Sequence, residues 1–150
     1  MIVPKDRMDD PVILLVEDDE NDVEMTLRAF RRSRISNRVV VASDGVAALE
    51  YLFARGAYAD RRADERPHLI LLDLRLPKLD GLGVLSAVRA DERTRLIPVV
   101  LLTSSAEEEA RIASYGLGTN RFVRKPVDFF ELSRAVVELG LYWLVLNEAP

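Results

Sequence analysis

The fold of this chain is constrained most by five short apolar runs, which are rich in β-branched residues and alternate with longer segments of helical periodicity. The first four runs are almost continuously apolar, which is typical of parallel strands whose two faces are both covered. The repeated alternation predicts a parallel sheet with helices on both faces, joined by right-handed crossovers. The predicted strands are Val12–Val16, Arg38–Ala42, Leu69–Leu72, Val99–Leu102 and Arg121–Val123.

Apolar residues spaced three and four apart predict a helix after each strand. Serines before the fourth helix can cap it, and its first turn is rich in Glu. The connection from Arg55 to Pro67 has no clear period, so we predict an exposed loop there. The residues that mark the second and fourth helices are Val46, Leu49, Phe53, Ala106, Ala110 and Ala113.

The composition is that of a folded protein and excludes several kinds of site. The chain is 49% hydrophobic, too apolar for a disordered protein, and its 150 residues are enough to bury a core. With 21 Lys and Arg against 25 Asp and Glu, its net charge is −4, which argues against nucleic acid as a partner. It has no cysteine, so disulfides, thiolate metal sites and a Cys nucleophile are excluded.

We expect a single domain over residues 1–150, with an N-terminal arm at residues 1–10 and the last helix and its tail at residues 128–150. The polar N-terminus lacks the apolar segment of a signal peptide, and no apolar stretch is long enough to span a bilayer. Because a domain without cysteine also suits a reducing compartment, we predict a cytoplasmic protein with no membrane partner.

Polar residues follow four of the predicted strands at the point where each strand ends. Ligands of open α/β sheets bind at the carboxyl ends of the strands, so these side chains should converge. Clustered carboxylates repel one another unless a cation lies among them, and Mg²⁺ prefers such oxygen ligands. A carboxylate beside the metal can be a nucleophile toward phosphorus, with a lysine and a hydroxyl on the phosphoryl oxygens. The residues are Glu17, Asp18, Asp19, Asp73, Thr103, Ser104 and Lys125.

Four separate segments resemble the receiver domain of two-component response regulators. They cover nearly the whole chain in the order and spacing of that family. The resemblance implies a flavodoxin-like, doubly wound α/β fold, with five parallel strands in the order 2-1-3-4-5 and five helices. The segments are Leu14–Asp19, Leu71–Gly81, Leu101–Ser104 and Phe122–Pro126.

The resemblance implies that Asp73 is the phospho-acceptor and that Mg²⁺ is bound beside it. Asp18 would bind the metal directly, and the backbone carbonyl of Arg75 would complete the site. Glu17 stands where the family commonly has Asp, so its longer side chain would lie beside the metal or act through water. The Arg75 side chain is larger than is frequent at its position, and its charge could reach the phosphoryl group or shield it from water.

The resemblance also implies a phosphoryl-binding and switch set. Lys125 would hold the phosphoryl group, Thr103 would turn toward it on activation, and Ser104 follows at the same strand end. Phe122 would change rotamer together with Thr103. Because Phe122 has no hydroxyl, its part in the switch could only be steric.

Within this family the chain looks most like the small stand-alone regulators that are paired with phytochromes. We therefore expect a histidine kinase partner, with a bacteriophytochrome among the candidates. Two other functions stay open, namely a receiver that binds partners without phosphorylation and a phosphatase acting on small molecules. The segments that carry the likeness are Tyr51–Ala54, Arg55–Pro67, Ile112–Leu117, Lys125–Phe130 and the tail with Tyr142 and Trp143.

The last predicted helix has two apolar stripes at 100° per residue. The first contains Phe129, Leu132 and Val136, and it is enough to dock the helix on its own sheet. The second, on nearly the opposite side, would be an exposed apolar patch, which commonly marks an interface. We therefore predict a homodimer that buries the second stripe against its own copy. This predicted dimer interface consists of Phe130, Val137, Leu141 and Leu144.

Overall fold

The computed structural model describes residues 12–32, 37–61, 66–117 and 121–139. They form one five-stranded parallel sheet in the order β2-β1-β3-β4-β5, which confirms the predicted fold class and strand order. The expected N-terminal arm lies outside these ranges, as do residues 140–150 of the tail with Leu141 and Leu144. The strands are β1 Val12–Val16, β2 Arg38–Ala42, β3 Leu69–Asp73, β4 Val99–Thr103 and β5 Arg121–Arg124.

Each strand is followed by a helix, and a side chain caps each helix start, with Asp19 accepting from the N–H of Asp22 in α1. Asp44, Asp80, Ser105 and Asp128 each accept a hydrogen bond from a backbone N–H in the first turn. Within the described ranges, no helix is both long and apolar enough to cross a membrane. The helices are α1 Glu20–Arg32, α2 Gly45–Leu52, α3 Gly81–Ala90, α4 Ala106–Ala113 and α5 Phe129–Glu138.

The sheet separates two hydrophobic clusters, because successive strand residues point to opposite faces. On one face Leu14 and Leu72 pack with α2, α3 and α4. On the other face Leu15 and Leu71 pack with α1 and α5. All four of these leucines are fully buried. With both faces covered, only the strand ends are open to ligands.

Strand ends and buried helix faces differ in part from the prediction. Strands β3, β4 and β5 each extend one residue further, so Asp73, Thr103 and Arg124 are their last residues rather than the first loop residues. The alanines at helical spacing in α4 are exposed, and its buried residue is Ile112. In α2, Val46 is exposed, while Ala48, Tyr51 and Leu52 are buried. In both helices the spacing of apolar residues predicted the helix correctly, but it did not identify the residues that pack against the sheet.

The segment predicted as an exposed loop is packed against α2 in its first part. Residues Gly56–Tyr58 form a single 3₁₀ turn. The ring of Tyr58 meets the buried ring of Tyr51 edge-on, with 5.1 Å between centroids. The Arg61 guanidinium donates to the backbone carbonyl oxygens of Tyr51 and Leu52 at 2.7 and 3.1 Å. This arginine satisfies carbonyls at the end of α2, which have no partner within the helix.

The first residues of α2 and α3 are glycines, and their lack of a side chain lets the loop after β3 pack directly against them. A side chain at Gly81 would collide with the backbone carbonyl of Asp73, and one at Gly45 would collide with that of Leu79. Both glycines are buried. The loop after β3 therefore rests directly on the backbone of two helix starts.

Candidate phosphoryl and metal site

The strand register brings the predicted site residues to one edge of the sheet. Val16 is paired with Leu72, so Glu17 and Asp73 extend from neighbouring strands at the same level. Thr103 ends β4 and is paired with Arg124, the residue before Lys125. The backbone N–H of Lys125 donates to the carbonyl of Thr103 at 2.8 Å, which holds these two chain segments together. The Lys125–Pro126 peptide bond is cis.

The Lys125 ammonium lies among three carboxylates, and we call this group the Lys125 cluster. Its Nζ is 2.9 Å from Asp22 Oδ2, 3.2 Å from Asp73 Oδ2 and 3.3 Å from Glu17 Oε1. Glu17 and Asp73 are buried. Asp22 comes from the first turn of α1. One cation therefore bridges three elements of the sheet edge.

Burial and like charge set the protonation of this cluster. Burial, followed by the hydrogen bond and the charge of Asp73, raises the pKa of Glu17 to about 8. Burial alone would lower the pKa of Lys125, but the hydrogen bond with Asp22 and the charges of Asp73 and Glu17 raise it above its ordinary value. The lysine thus stays charged, while the raised pKa of Glu17 favours its protonated form at neutral pH. An excess of buried negative charge is what a cation would relieve.

The donor set fits a hard divalent cation. Carboxylate oxygens of Glu17, Asp18 and Asp73 all lie within 4.8 Å of one another. Asp18 is exposed and faces solvent, from which a hydrated ion would enter. The backbone N–H of Arg75 donates to Asp73 Oδ1 at 3.3 Å, so the residue expected to contribute a carbonyl lies close to the Asp73 carboxylate. Asp19 instead caps the start of α1, accepting from the N–H of Asp22 at 3.0 Å.

Thr103 and Ser104 are engaged with α4 rather than with the Lys125 cluster. The buried Thr103 hydroxyl donates to Glu109 Oε2 at 2.8 Å. The backbone N–H of Ser104 donates to Glu108 Oε1, also at 2.8 Å. The Arg124 guanidinium donates to the same Glu109 oxygen at 3.1 Å.

Arg75 reaches the other carboxylate of α4. Its Nε donates to Glu108 Oε2 at 3.0 Å. Glu108 and Glu109, with Arg75 and Arg124, form a second charged group, which we call the α4 cluster. The hydrogen bond from Ser104 N–H and the charge of Arg75 lower the pKa of Glu108.

The remaining predicted residues divide between the core and the surface. Phe122 is half-buried against the cluster on the α2–α4 face and is paired with Leu101 of β4. Phe130 and Val137, one face of α5, are exposed by 71% and 50%. Leu141 and Leu144, the other two residues of the predicted dimer interface, lie outside the described residues.

The sequence profile of the response regulator receiver domain matches residues 13–137. The chain belongs to this family. Its receiver domain contains every element described above, from β1 to nearly the end of α5.

Two curated relatives and one solved relative of this receiver domain are regulators of similar length. The chain is 41% identical to the probable methanogenesis regulatory protein FilR2 of Methanothrix harundinacea, covering 95% of this chain and 90% of the relative. It is 38% identical to the response regulator Rcp1 of Synechocystis sp., covering 93% and 92%. The solved bacteriophytochrome response regulator RtBRR is 51% identical with a TM-score of 0.86, over 93% of this chain and 84% of that one. The protein is thus a two-component response regulator, and its relatives include phytochrome regulators.

Solved receivers of this group have been captured with metal or with phosphate. One structure is the Mn²⁺-bound form of Rcp1, 36% identical with a TM-score of 0.70, over 93% of this chain and 97% of that one. Another is the phosphorylated cyanobacterial phytochrome regulator RcpA, 35% identical with a TM-score of 0.71, over 94% and 97%. Receiver domains of this family bind divalent metal, and this receiver has the acidic cluster for it.

Sequence reasoning missed four charged residues of the receiver's functional edge. Asp22 could have been found from helical spacing, because it lies four residues after Asp18 and faces the same edge. The sequence analysis assigned Glu108 and Glu109 only the favourable interaction of negative charge with a helix start. Arg124 had been read only as part of a strand. Thr103 and Ser104 precede Glu109 and Glu108 by only six and four positions, but helical spacing alone does not show which glutamate turns back to the strand end.

Proposed function

We propose that this receiver accepts a phosphoryl group on Asp73 from the phosphohistidine of a partner histidine kinase. The observation that carries the proposal is the setting of the Asp73 carboxylate, which lies 3.2 Å from the Lys125 ammonium and within 4.8 Å of two further carboxylates. A nucleophilic carboxylate, a cation for the phosphoryl oxygens and a donor set for Mg²⁺ are therefore in one place.

The transfer breaks the P–N bond of the phosphohistidine and forms a P–O bond to Asp73. The electron pair of the broken bond returns to the imidazole nitrogen, which is protonated on leaving. Asp73 must attack as a carboxylate, and Lys125, 3.2 Å away, would then pair with a phosphoryl oxygen. When Mg²⁺ is bound by Asp18, Asp73, the Arg75 carbonyl and, directly or through water, Glu17, it supplies charge that offsets both carboxylates and phosphoryl oxygens.

The added charge is about −1.5 to −2 and changes the balance between two pre-existing conformations. Thr103 is the residue we propose to turn toward the phosphoryl group, with Ser104 moving at the same strand end. Phe122 is half-buried beside β4, which supports a steric part in that change. A near-complete switch requires the phosphoryl group to favour the active state by roughly 5.5 kcal/mol.

Acetyl phosphate with Mg²⁺ tests the acceptor directly. Wild type should gain one phosphoryl group by intact-mass spectrometry, and Asp73→Asn should gain none. Asp91→Asn, at the exposed end of α3, is the matched control and should be labelled like wild type. An Asp73→Asn protein that still gained the group would show that the acceptor is another residue.

We further propose that the protein does not turn over external phosphoesters and only promotes its own phosphorylation and dephosphorylation. The described site offers no acid or base for a leaving alcohol other than the Lys125 cluster itself, which is committed to Asp73. The phosphorylated protein should lose its group over time with Mg²⁺ present, while p-nitrophenyl phosphate added in excess stays intact. Steady release of nitrophenol in proportion to protein would indicate a phosphatase instead.

We propose that the protein is a homodimer through α5 and the residues that follow it. Phe130 and Val137 are exposed on one face of α5, and the sequence continues that face with Leu141 and Leu144. Such a patch is stabilised when it is buried against a second copy.

Light scattering on matched variants tests the dimer. Wild type should have the mass of a dimer, and the double variant Phe130→Glu, Leu141→Glu that of a monomer. Leu96→Glu is the control, because Leu96 is 82% exposed and lies between α3 and β4, away from α5. A monomeric wild type would overturn the proposal, as would a double variant that stays dimeric.

The proposed function also implies a compartment and a set of partners. We propose that residues 1–150 act as one receiver domain in the cytoplasm, with a histidine kinase as partner and with neither nucleic acid nor membrane as ligand. The net charge of −4 supports the exclusion of nucleic acid. The relatives named for bacteriophytochromes support a kinase of that class as the partner.

A further inference from the structure

The hydroxyl of Thr103 has a defined partner on the side away from the phospho-acceptor. It donates to Glu109 Oε2 at 2.8 Å, and the Thr103 side chain is fully buried. A hydrogen bond from a buried hydroxyl to a carboxylate is of the stronger kind, because the acceptor is charged. This contact therefore fixes the orientation of Thr103.

A second contact fixes the carboxylate. Arg124 Nε donates to the same Glu109 oxygen at 3.1 Å, and the hydrogen bond from Arg124 is the main reason why the pKa of Glu109 is lowered. Glu109 is thus charged at neutral pH and held in place from β5. The three residues come from β4, α4 and β5, so a single carboxylate oxygen connects three elements beside the acceptor edge.

A threonine hydroxyl has one proton to donate. A phosphoryl group on Asp73 carries only acceptor oxygens under the conditions of transfer. Thr103 therefore cannot donate to Glu109 and to the phosphoryl group at the same time. Turning toward the phosphoryl group requires the bond to Glu109 to break.

We propose that Glu109 is a positioning residue that holds Thr103 in the unphosphorylated orientation and releases it when Asp73 carries a phosphoryl group. This inference rests on the proposed function, in which Thr103 turns toward that group. Release removes one of the hydrogen bonds that hold α4 to the end of β4, while the bond between Glu109 and Arg124 can still pass the change to β5.

Beryllofluoride with Mg²⁺ is the probe, as a stable mimic of the phosphoryl group on the acceptor. The ¹³C shift of the assigned Thr103 methyl group reports its side-chain rotamer, and titration gives the half-saturating beryllofluoride concentration. Glu109→Ala should lower that concentration roughly tenfold, and Glu109→Gln, which keeps a neutral acceptor, about threefold. Without beryllofluoride, Glu109→Ala should already show averaging of the Thr103 rotamer.

Two further variants separate this role from a structural one. Glu107→Ala removes an exposed charge from the same turn of α4 and should titrate like wild type. In a Thr103→Val background, which has no hydroxyl to hold, the titration is followed by the ¹⁹F signal of bound beryllofluoride, and Glu109→Ala should not change the half-saturating concentration further. An equal shift in both backgrounds would overturn the proposal, because Glu109 would then act through helix stability.

The outcomes also distinguish this inference from the proposed function. If Asp73→Asn binds beryllofluoride like wild type, the acceptor assignment is wrong. If binding requires Asp73 but Glu109→Ala titrates like wild type, the acceptor stands and the role of Glu109 is wrong.

Discussion

The Lys125 cluster and the α4 cluster lie side by side at the same sheet edge, but they differ in charge balance. The Lys125 cluster sets three carboxyl groups against one ammonium, and with Glu17 protonated at neutral pH the two others leave a formal sum of 1 − 2 = −1. The α4 cluster sets two carboxylates against two guanidinium groups, a sum of zero. The first is incomplete without added positive charge, whereas the second is satisfied as it stands. The excess negative charge of the buried Lys125 cluster suits it to binding a cation. The charge-neutral α4 cluster at the surface is suited to stabilising one conformation.

Burial increases the difference between the two groups. Glu17 and Asp73 are almost fully buried, and the cost of removing them from water is offset by Lys125. In the α4 cluster the arginine side chains are largely exposed, so each ion pair is screened by solvent. Mutations in the first group should therefore have larger effects than mutations in the second.

The largest expected effect is that of Lys125→Ala. It leaves buried carboxylates without their cation and should lower the free energy of unfolding by about 3 kcal/mol at pH 7 in the presence of a chelator. Urea denaturation measures it. Lys78→Ala is the matched control, because Lys78 pairs with Asp44 at 3.5 Å but is 66% exposed, and it should cost less than about 1 kcal/mol. Equal losses of unfolding free energy in the two variants would show that Lys125 contributes no more to stability than a lysine in a surface ion pair.

Next in size is the loss of Mg²⁺ affinity in Asp18→Ala. Asp18 is exposed and has the shorter side chain, whereas Glu17 is buried, protonated up to about its raised pKa of 8 and engaged by Lys125. We expect Asp18→Ala to weaken Mg²⁺ binding by at least about tenfold and Glu17→Ala to weaken it less. Isothermal titration of both variants decides the ranking, and similar losses would contradict it.

A smaller effect is expected for Asp22→Asn. Asp22 makes the shortest contact with Lys125, so it competes with an incoming phosphoryl group for that ammonium. Removing its charge should raise the rate of labelling by acetyl phosphate about threefold, the size expected for the loss of one weak ion pair. Phosphorylation followed by intact mass over time measures it. A slower variant would show that Asp22 positions Lys125 rather than competing for it.

The smallest effect concerns the pH dependence of the α4 cluster. The pKa of Glu109 is lowered in the folded state, so its contribution is present above the ordinary value of 4.5 and is lost as pH falls through the folded pKa. Glu109→Gln should cost a few tenths to about 1 kcal/mol at pH 7 and less at pH 3.5. Urea denaturation at both values measures this, with Glu107→Gln as control. A cost that grows on acidification would have the wrong sign.

Sequence patterns predicted the parts of this molecule that depend on continuous local signals. The strands β1 and β2 begin and end where the predicted runs do, and in β1 burial on both faces accounts for the unbroken apolar run. The three other strands continue one residue beyond the run, because the hydrogen-bonded ladder accepts Asp73, Thr103 and Arg124 regardless of polarity. The motif residues were identified because each directly follows a strand.

The ion pairs and hydrogen bonds of the two clusters could not be predicted, because most of them join residues that are distant in sequence. Glu109 is linked to Arg124 across 15 positions, and Lys125 to Asp22 across 103. Nothing in a local pattern indicates which of several glutamates at a helix start meets a strand end. Alanine spacing in α4 identified the helix but not its buried residue, because alanine is tolerated on either face.

The missing side chains at Gly45 and Gly81 determine the direction in which the sheet edge can respond. Beneath the acceptor, backbone rests on backbone, and no rotamer change can make room there. Beside the acceptor, toward β4 and β5, the contacts are hydrogen bonds between side chains, which can be exchanged one for another. The edge therefore has one stiff side and one compliant side. We therefore expect a change at Asp73 to move the side chains toward β4 and β5, because the backbone packed on Gly45 and Gly81 leaves no room for movement on the other side.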